Sequence, residues 1–360
     1  MSEVNSREAL FMKIKGQTAR IPNLMPIFVD WKRPSRGIVS AHLKLLREKV
    51  NQRLRSFNFS KAKQQQLEAA DFALFTGLWW PDASLPRLET LAYLVIWLFT
   101  WDDEIDEPTG SYSEDFEGAQ TYRNHTLRFV GICLGVLPVD TNFYPRNQLI
   151  QSFDIIGYSL RSSYDMNQCQ RFYDEVARFM AASEVEQAGR LKGQVFTLEE
   201  YWAFRMGTSA VYISSAASEY SMSLQLPLEV MRCDSMRVVW DEVNVIISIT
   251  NDLLSLRKEI KHGCIDSIVP LTFASTNSIQ EAISEAVSAL RVSKNRFDKA
   301  ANSLLVANLD NREWYEQIQR FMAVQRSNSV GNLLWSLKTQ RYNIPKLVDN
   351  DGGYTFELGT

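Results

Sequence analysis

Histidine is scarce in this chain: three among 360 residues (His42, His125 and His262), none at ligand spacing from another. An imidazole-based metal site and an HExxH zinc protease are thereby excluded. Cysteine is nearly as rare, and the four thiols (Cys133, Cys169, Cys233, Cys264) form no CxxC pair. That leaves neither a disulfide framework nor a zinc knuckle, and it fits a reducing compartment. With 16 Gly and 11 Pro the chain has too few turn formers for a β-sandwich or a disordered polymer. Neither charge sign dominates: 39 Lys and Arg stand against 42 Asp and Glu, a net charge of −3. Nucleic acid and acidic membrane surfaces are therefore not expected partners. The uncharged runs, Thr90 to Trp101 among the longest, fall short of the ~18 apolar residues that a membrane span needs. Met1 to Ile14 carries charges throughout and has no apolar signal core, so the expected location is cytoplasmic. No GxGxxG loop is present either, nor a GxxxxGK loop followed by Ser or Thr.

What the chain does have is material for a core. Hydrophobic residues make up 45% of it, and 19 Phe, 13 Tyr and 9 Trp bring the aromatic share to 11%. Strand-like alternation is scarce, whereas apolar residues recur at three- and four-residue steps, the helical period. Breaks such as Trp80-Pro81-Asp82, Glu107-Pro108-Thr109-Gly110 and Leu226-Pro227 divide this pattern into ten or more candidate helices. Ser84 followed by Pro86 reads as a helix start. The pattern predicts an all-α, single-domain helical bundle over residues 37–345. Before it, residues 1–36 form an arm that the prolines Pro22, Pro26 and Pro34 make partly extended, and after it residues 346–360 form a short polar tail.

The segment Leu88 to Asp106 is the most informative. Leu91, Val95, Leu98 and Asp102 follow an i, i+4, i+7, i+11 pattern, which holds them within an arc of about 60° on one helix face. Asp106 comes one turn later. The run Asp102-Asp103-Glu104-Ile105-Asp106-Glu107 therefore continues the apolar stripe, where carboxylates are costly unless paired or bound to a metal. Five acids at a helix C-terminus also oppose the helix dipole. The plain alternative is a solvated helix end before a Pro-Gly turn. Carboxylates one turn apart, about 6 Å, share hard cations readily, and with no histidine nearby the matching metal is Mg²⁺.

A second pattern runs from Val238 to Glu259. Asn251, Ser255 and Glu259 rise along one side over about 12 Å, bringing an amide oxygen, a hydroxyl and a carboxylate into a hard-oxygen site for Mg²⁺. Arg257 and Lys258 flank the acid, able to meet an anion. Taken alone, this is equally an amphipathic helix with an exposed polar end.

Together the two patterns resemble those of class I terpene cyclases, of the single-domain type found among fungal sesquiterpene synthases. Asp102-Asp103-Glu104-Ile105-Asp106 is similar to that family's aspartate-rich motif. The run from Asn251 through Asp252, Ser255 and Lys258 to Glu259 matches its second metal motif, N-D-x-x-S-x-x-x-E, at every defining position. Arg205 stands where the family keeps its diphosphate-sensing arginine, and Arg341-Tyr342 matches its C-terminal Arg-Tyr pair. Thr208 and Ser209 depart from the Asp and Gly of many relatives, so the helix break after Arg205 is expected to be built differently. No DxDD acid motif is present, which removes protonation-started cyclisation.

The resemblance implies the class I bundle with its active-site cavity at the centre, and Mg²⁺-dependent cyclisation of an isoprenoid diphosphate, farnesyl diphosphate by size. Three Mg²⁺ ions, for which Mn²⁺ can substitute, would be held by Asp102 and Asp106 on one wall and by Asn251, Ser255 and Glu259 on the other. Arg205, Lys258, Arg341 and Tyr342 would bind the diphosphate, while Asp103 and Glu104 point away from Asp102 and act behind it. Phe99 and Trp335 are the candidate pocket aromatics, against the alternative of plain core packing. The implied state is a monomer or homodimer. A chain-elongating prenyltransferase, which carries two aspartate-rich motifs, and a non-catalytic isoprenoid-binding protein are the alternatives.

Overall fold

In the computed structural model, which describes residues 6–31, 37–342, 344 and 349–359, the helical period becomes helix over most of the chain. The first helices are α1 (Ser6–Ile14), α2 (Leu43–Arg55), α3 (Lys61–Ala70), α4 (Phe72–Trp79), α5 (Leu85–Asp106) and α6 (Phe116–Leu134). Two short ones, α7 (Gln148–Gln151) and α8 (Asp154–Arg161), lead to α9 (Met166–Leu191) and α10 (Leu198–Thr208). After α11 (Val211–Ala216), α12 (Ser218–Met222) and α13 (Leu228–Arg232) come α14 (Asp234–Lys261), α15 (Ile268–Thr276), α16 (Ile279–Ala307) and α17 (Arg312–Ser336). The strands found among the described residues are β1 (Thr18–Ile21) and β2 (Tyr354–Glu357), paired antiparallel with Thr18 opposite Glu357.

Helix α5 starts as its sequence dictates, with Ser84 extended and Pro86 in the first turn, where no N–H is needed. Helix α4 is apolar on every side and wholly buried, as a central helix must be. It lies against α17, and the two backbones approach closely because residue 331 is glycine: a Cβ there would meet the Leu78 carbonyl oxygen at 2.8 Å. Helix α14 is the axis of the other half, packed by α10, α11, α15, α16 and α17. Rings fill the space between these layers, with Trp97, Trp101, Phe172, Phe297, Phe321 and Trp335 fully buried. Each such side chain contributes about 2 kcal/mol or more by leaving water.

The N-terminal arm is extended at Thr18–Ile21 but helical at Ser6–Ile14, and it forms a 3-10 helix at Met25–Trp31. Trp31 packs on Phe297 and donates its indole N–H to Asp298, while Lys294 bridges Asp30 and Asp298. Through β2, the tail pairs with the arm. Residues 1–5, 32–36, 343, 345–348 and 360, which include the domain boundaries expected at 36 and 345, lie outside the described residues. No helix among the described residues is long and apolar enough to cross a membrane.

Candidate active site

The acid-rich end of α5 separates its carboxylates by function. Asp103 is 2% exposed and sits between Lys63 Nζ at 2.6 Å and Arg341 Nη2 at 2.8 Å. Burial works against its ionisation, yet the two cations hold it well below the usual carboxylate range. Glu107 takes Lys258 Nζ at 2.7 Å, and Arg190 donates to the Ile105 carbonyl at 2.8 Å. The chain then folds back over the helix end, where Tyr112 N–H reaches the Glu104 carbonyl. The turn tolerates only glycine at 110, since a Cβ would come within 2.4 Å of the Asp103 carbonyl oxygen. Cations from three helices and the C-terminal segment thus offset the clash between five acids and the helix dipole.

Asp102 and Asp106 are left out of this pairing. Neither a hydrogen bond nor an ion pair joins Asp102 to another described residue, and its carboxyl is pushed well up by burial and by Asp106. Asp106 has Arg190 at 3.8 Å and keeps 38% side-chain exposure. Surrounding protein nevertheless raises it to about 6. A third acid, Glu186 on α9, is pushed up by burial and by Asp106.

Facing them, α14 carries Asn251, Ser255 and Glu259. Ser255 Oγ donates to Glu259 Oε1 at 2.6 Å and lies 2.8 Å from the Asn251 carbonyl. Glu259 Oε2 is buried without a hydrogen-bond partner among the described residues, and burial together with Asp252 pushes the carboxyl up to about 7. An orphaned carboxylate oxygen beside a hydroxyl and an amide oxygen fits a hard divalent cation. No cluster of three His, Cys, Asp or Glu is preassembled among the described residues. The donor set on α14 is of mixed type, with a single carboxylate in it.

The diphosphate candidates converge on this wall. Arg205 Nη2 reaches Asn251 Oδ1 at 2.9 Å and Asp252 Oδ1 at 2.7 Å. Asn251 Nδ2 donates to the Tyr342 hydroxyl at 2.6 Å. Burial would lower the Arg205 pKa, but Asp252 more than compensates, so the guanidinium stays charged. Burial pushes the Tyr342 phenol up to about 12, so it remains a donor. Helix α10 breaks after Thr208, and Ala210 takes a left-handed φ of 55°. Ser209 Oγ donates to Asn244 Oδ1, and Asn244 Nδ2 returns a bond to the Met206 carbonyl. The break is thus pinned to α14 by amide and hydroxyl groups.

Phe99 is half-buried, within 6 Å of Phe72, Phe75 and Trp335, and the Arg341 guanidinium lies 5.1 Å from its ring centre. Trp335 is fully buried, and its N–H bonds the Ala70 carbonyl. Its ring packs edge-on against Phe99. The structure therefore joins Arg205 and Tyr342 to Asn251, and Ser255 to Glu259, by hydrogen bonds, and ties Lys258 and Arg341 to Glu107 and Asp103 at the end of α5 that carries Asp102 and Asp106.

The sequence reading assigned no role to several supporting residues, Asp252 standing between a supporting group and a solvated neighbour. Asp252 is 1% exposed and accepts bonds from Tyr201 Oη, Arg205 and the Ile268 N–H. Its place beside the triad was the available signal. Lys63, Arg190 and Glu186 had none, since nothing local separates them from surface charges.

Residues 93–296 match the family model described as terpene synthase family 2, C-terminal metal binding. The chain is 35% identical over 358 residues to the sesquiterpene cyclase hepA of Aspergillus oryzae, covering 97% of this chain and 96% of that protein. The silphinene synthase peniA of Penicillium patulum is 28% identical over 352 residues, 94% of this chain and 88% of that one. Among solved structures, α-eudesmol synthase superposes with a TM-score of 0.73 at 18% identity, over 86% of this chain and 98% of that chain, which shows a shared fold.

Proposed function

The chain belongs to the class I terpene cyclases of terpene synthase family 2, and from that premise we propose that it is a sesquiterpene synthase, which ionises farnesyl diphosphate with Mg²⁺, cyclises the cation and releases diphosphate. The observation that carries this reading is the triad wall. Asn251, Ser255 and Glu259 lie in one hydrogen-bonded row, and Arg205 and Tyr342 both touch Asn251.

Asp102 and Asp106 on one side, with the triad on the other, would hold the metal. When bound, the divalent cation supplies Lewis-acid stabilisation of the diphosphate leaving group. The chain's own residues do the rest. Arg205, Lys258, Arg341 and Tyr342 present donors to the charged oxygens. Asp252 fixes the Arg205 fork, and Asp103 fixes that of Arg341, so neither arginine has to be ordered when substrate arrives. Phe99, backed by Phe72, Phe75 and Trp335, offers a ring face to an allylic cation, a contact worth about 1–2 kcal/mol when desolvated. The same aromatic layer excludes water, which would otherwise trap the cation early.

The test is incubation of purified protein with Mg²⁺ and, separately, geranyl, farnesyl and geranylgeranyl diphosphate. The organic extract is read by gas chromatography–mass spectrometry. A cyclic hydrocarbon or alcohol of fifteen carbons from farnesyl diphosphate is the expected result. Products longer than the substrate supplied would indicate prenyl elongation. Absence of any product despite measurable binding would sink the catalytic reading.

A further inference from the structure

One buried cation acts on the acid-rich end of α5 without an acid of its own. Arg123, on α6, is 3% exposed and is held by neutral oxygens. Its Nη1 donates to Gln120 Oε1 at 2.7 Å, and its Nη2 to Gln187 Oε1 at 2.6 Å and to the Ser183 carbonyl at 3.1 Å. No carboxylate lies within ion-pair distance of it among the described residues, although a buried charge ordinarily takes one. Burial pulls its pKa below the ordinary arginine value, against the attraction of Glu184 and Asp106. The positive charge is thus left uncancelled, and at Asp106 it favours the ionised form. Gln187, wholly buried on α9, passes this anchorage on: its Nε2 donates to the Tyr112 carbonyl at 2.7 Å and stands 3.4 Å from that of Ser113. Tyr112 is the residue whose N–H caps the Glu104 carbonyl, and its ring stacks on Tyr122, the neighbour of Arg123. Ser183, Gln187 and Arg190 lie at i, i+4 and i+7, within about 60° on one face of α9. That single face binds Arg123, the two loop carbonyls and the Ile105 carbonyl. The last turn of a helix leaves its carbonyls without partners of their own, so this row decides where the covering loop sits.

We propose that Gln187 and Arg123 are positioning residues for the acid-rich end of α5. Gln187 fixes the loop 107–115 against that end, Arg123 holds the Gln187 amide in the orientation this requires, and Asp102 and Asp106 are thereby kept at the spacing a divalent cation needs. The proposal rests on the reading that those two carboxylates bind metal. Residue 187 has to accept from a cation at one atom and donate to carbonyls at the other, which an amide does; a glutamate could only accept, and a methionine could do neither. The charge that Arg123 leaves uncancelled also offsets the helix dipole, which disfavours acids at this end.

Two measurements on the full-length protein test this. One is Mn²⁺ binding in the presence of inorganic diphosphate, read from the paramagnetic resonance of the unbound ion; the other is hydrogen exchange of residues 107–115 without metal. Gln187→Met, which nearly keeps the volume, should weaken Mn²⁺ binding roughly tenfold and speed exchange of the loop by a similar factor. Arg123→Gln should do the same, and Arg123→Lys should restore most of the affinity. Arg171→Gln breaks a buried ion pair with Glu219 elsewhere on α9, and is expected to lower the melting temperature while changing neither readout. Unchanged Mn²⁺ affinity in Gln187→Met overturns the proposal, as does an equal loss in Arg171→Gln, the mark of general destabilisation. If Gln187→Met does not fold, Arg123→Gln against Arg123→Lys decides, and equal affinities overturn it. Asp102→Asn separates this proposal from the reading beneath it. Mn²⁺ binding indifferent to that change removes the metal assignment and the proposal with it, whereas binding weakened by Asp102→Asn but not by Gln187→Met overturns the positioning role alone.

Discussion

The two walls of the recess are built in opposite ways. The triad on α14 is local. Ser255 and Glu259 bond within one uninterrupted helix, and Asp252 in the same turn is anchored by Tyr201, Arg205 and the Ile268 N–H. The acid wall sits at the C-terminal end of α5, where the dipole opposes it, and is held by Lys63 from α3, Arg190 from α9, Lys258 from α14 and Arg341 from beyond α17. One wall is arranged before any ligand arrives. The other keeps Asp102 and Asp106 in a state that a cation would relieve, since burial raises both, joined by repulsion from Asp106 at Asp102 and from Asp266 and Asp103 at Asp106. A row hydrogen-bonded within one helix, in which Glu259 is the raised carboxyl, thus contrasts with an acid cluster held by cations from distant segments.

If that contrast is right, substitutions should rank accordingly. Glu259→Gln removes the orphaned carboxylate oxygen and is expected to lower kcat/KM with farnesyl diphosphate by roughly 10²–10³-fold at unchanged helicity by circular dichroism. Asp102→Asn should cost less, about 10–100-fold, and raise the Mg²⁺ concentration needed for half-maximal rate, because Asp106 stays one turn away. A larger loss at Asp102 than at Glu259 would reverse the assignment of the walls. Asp252→Ala leaves the Arg205 guanidinium buried without its carboxylate, and should destabilise the fold by about 3–5 kcal/mol in urea titrations. The smallest effect is on pH. Carboxyls raised in the folded state to about 6 at Asp106 and about 7 at Glu259, against roughly 4 when unfolded, keep protons longer in the native form. Stability of the metal-free protein should therefore fall as pH rises from about 4 through 7. Above that window the loss is complete, and added Mg²⁺ with diphosphate should flatten the profile. Asp103, shifted downward, contributes stability that is lost only in stronger acid, and it does not mask the trend. Thermal melts from pH 5 to pH 8 check this; a flat metal-free profile would show both walls to be equally well solvated.

Much of the site was legible because it is written at helical spacing. Asn251, Ser255 and Glu259 share a face by period alone, and the α5 stripe from Leu91 to Asp102 placed an acid on the inside. Arg205, Arg341 and Tyr342 carry no local pattern and became readable only through resemblance. The support beneath them was not readable at all. Asp103 and Arg341 are 238 residues apart, and Lys63 approaches from a helix whose sequence is an ordinary polar surface.

Fold class, the helix start at Ser84 and the shared face of Asn251, Ser255 and Glu259 were determined by sequence, because backbone period and side-chain chemistry are properties of neighbours in the chain. Tertiary structure alone decided which acids of the Asp102–Glu107 cluster stay open and which are neutralised. Lysine and arginine placements depend on how α3, α9, α14 and the C-terminal segment pack around α5. It also decided that Trp335 is fully buried against Phe99, since burial is a property of what lies across the core.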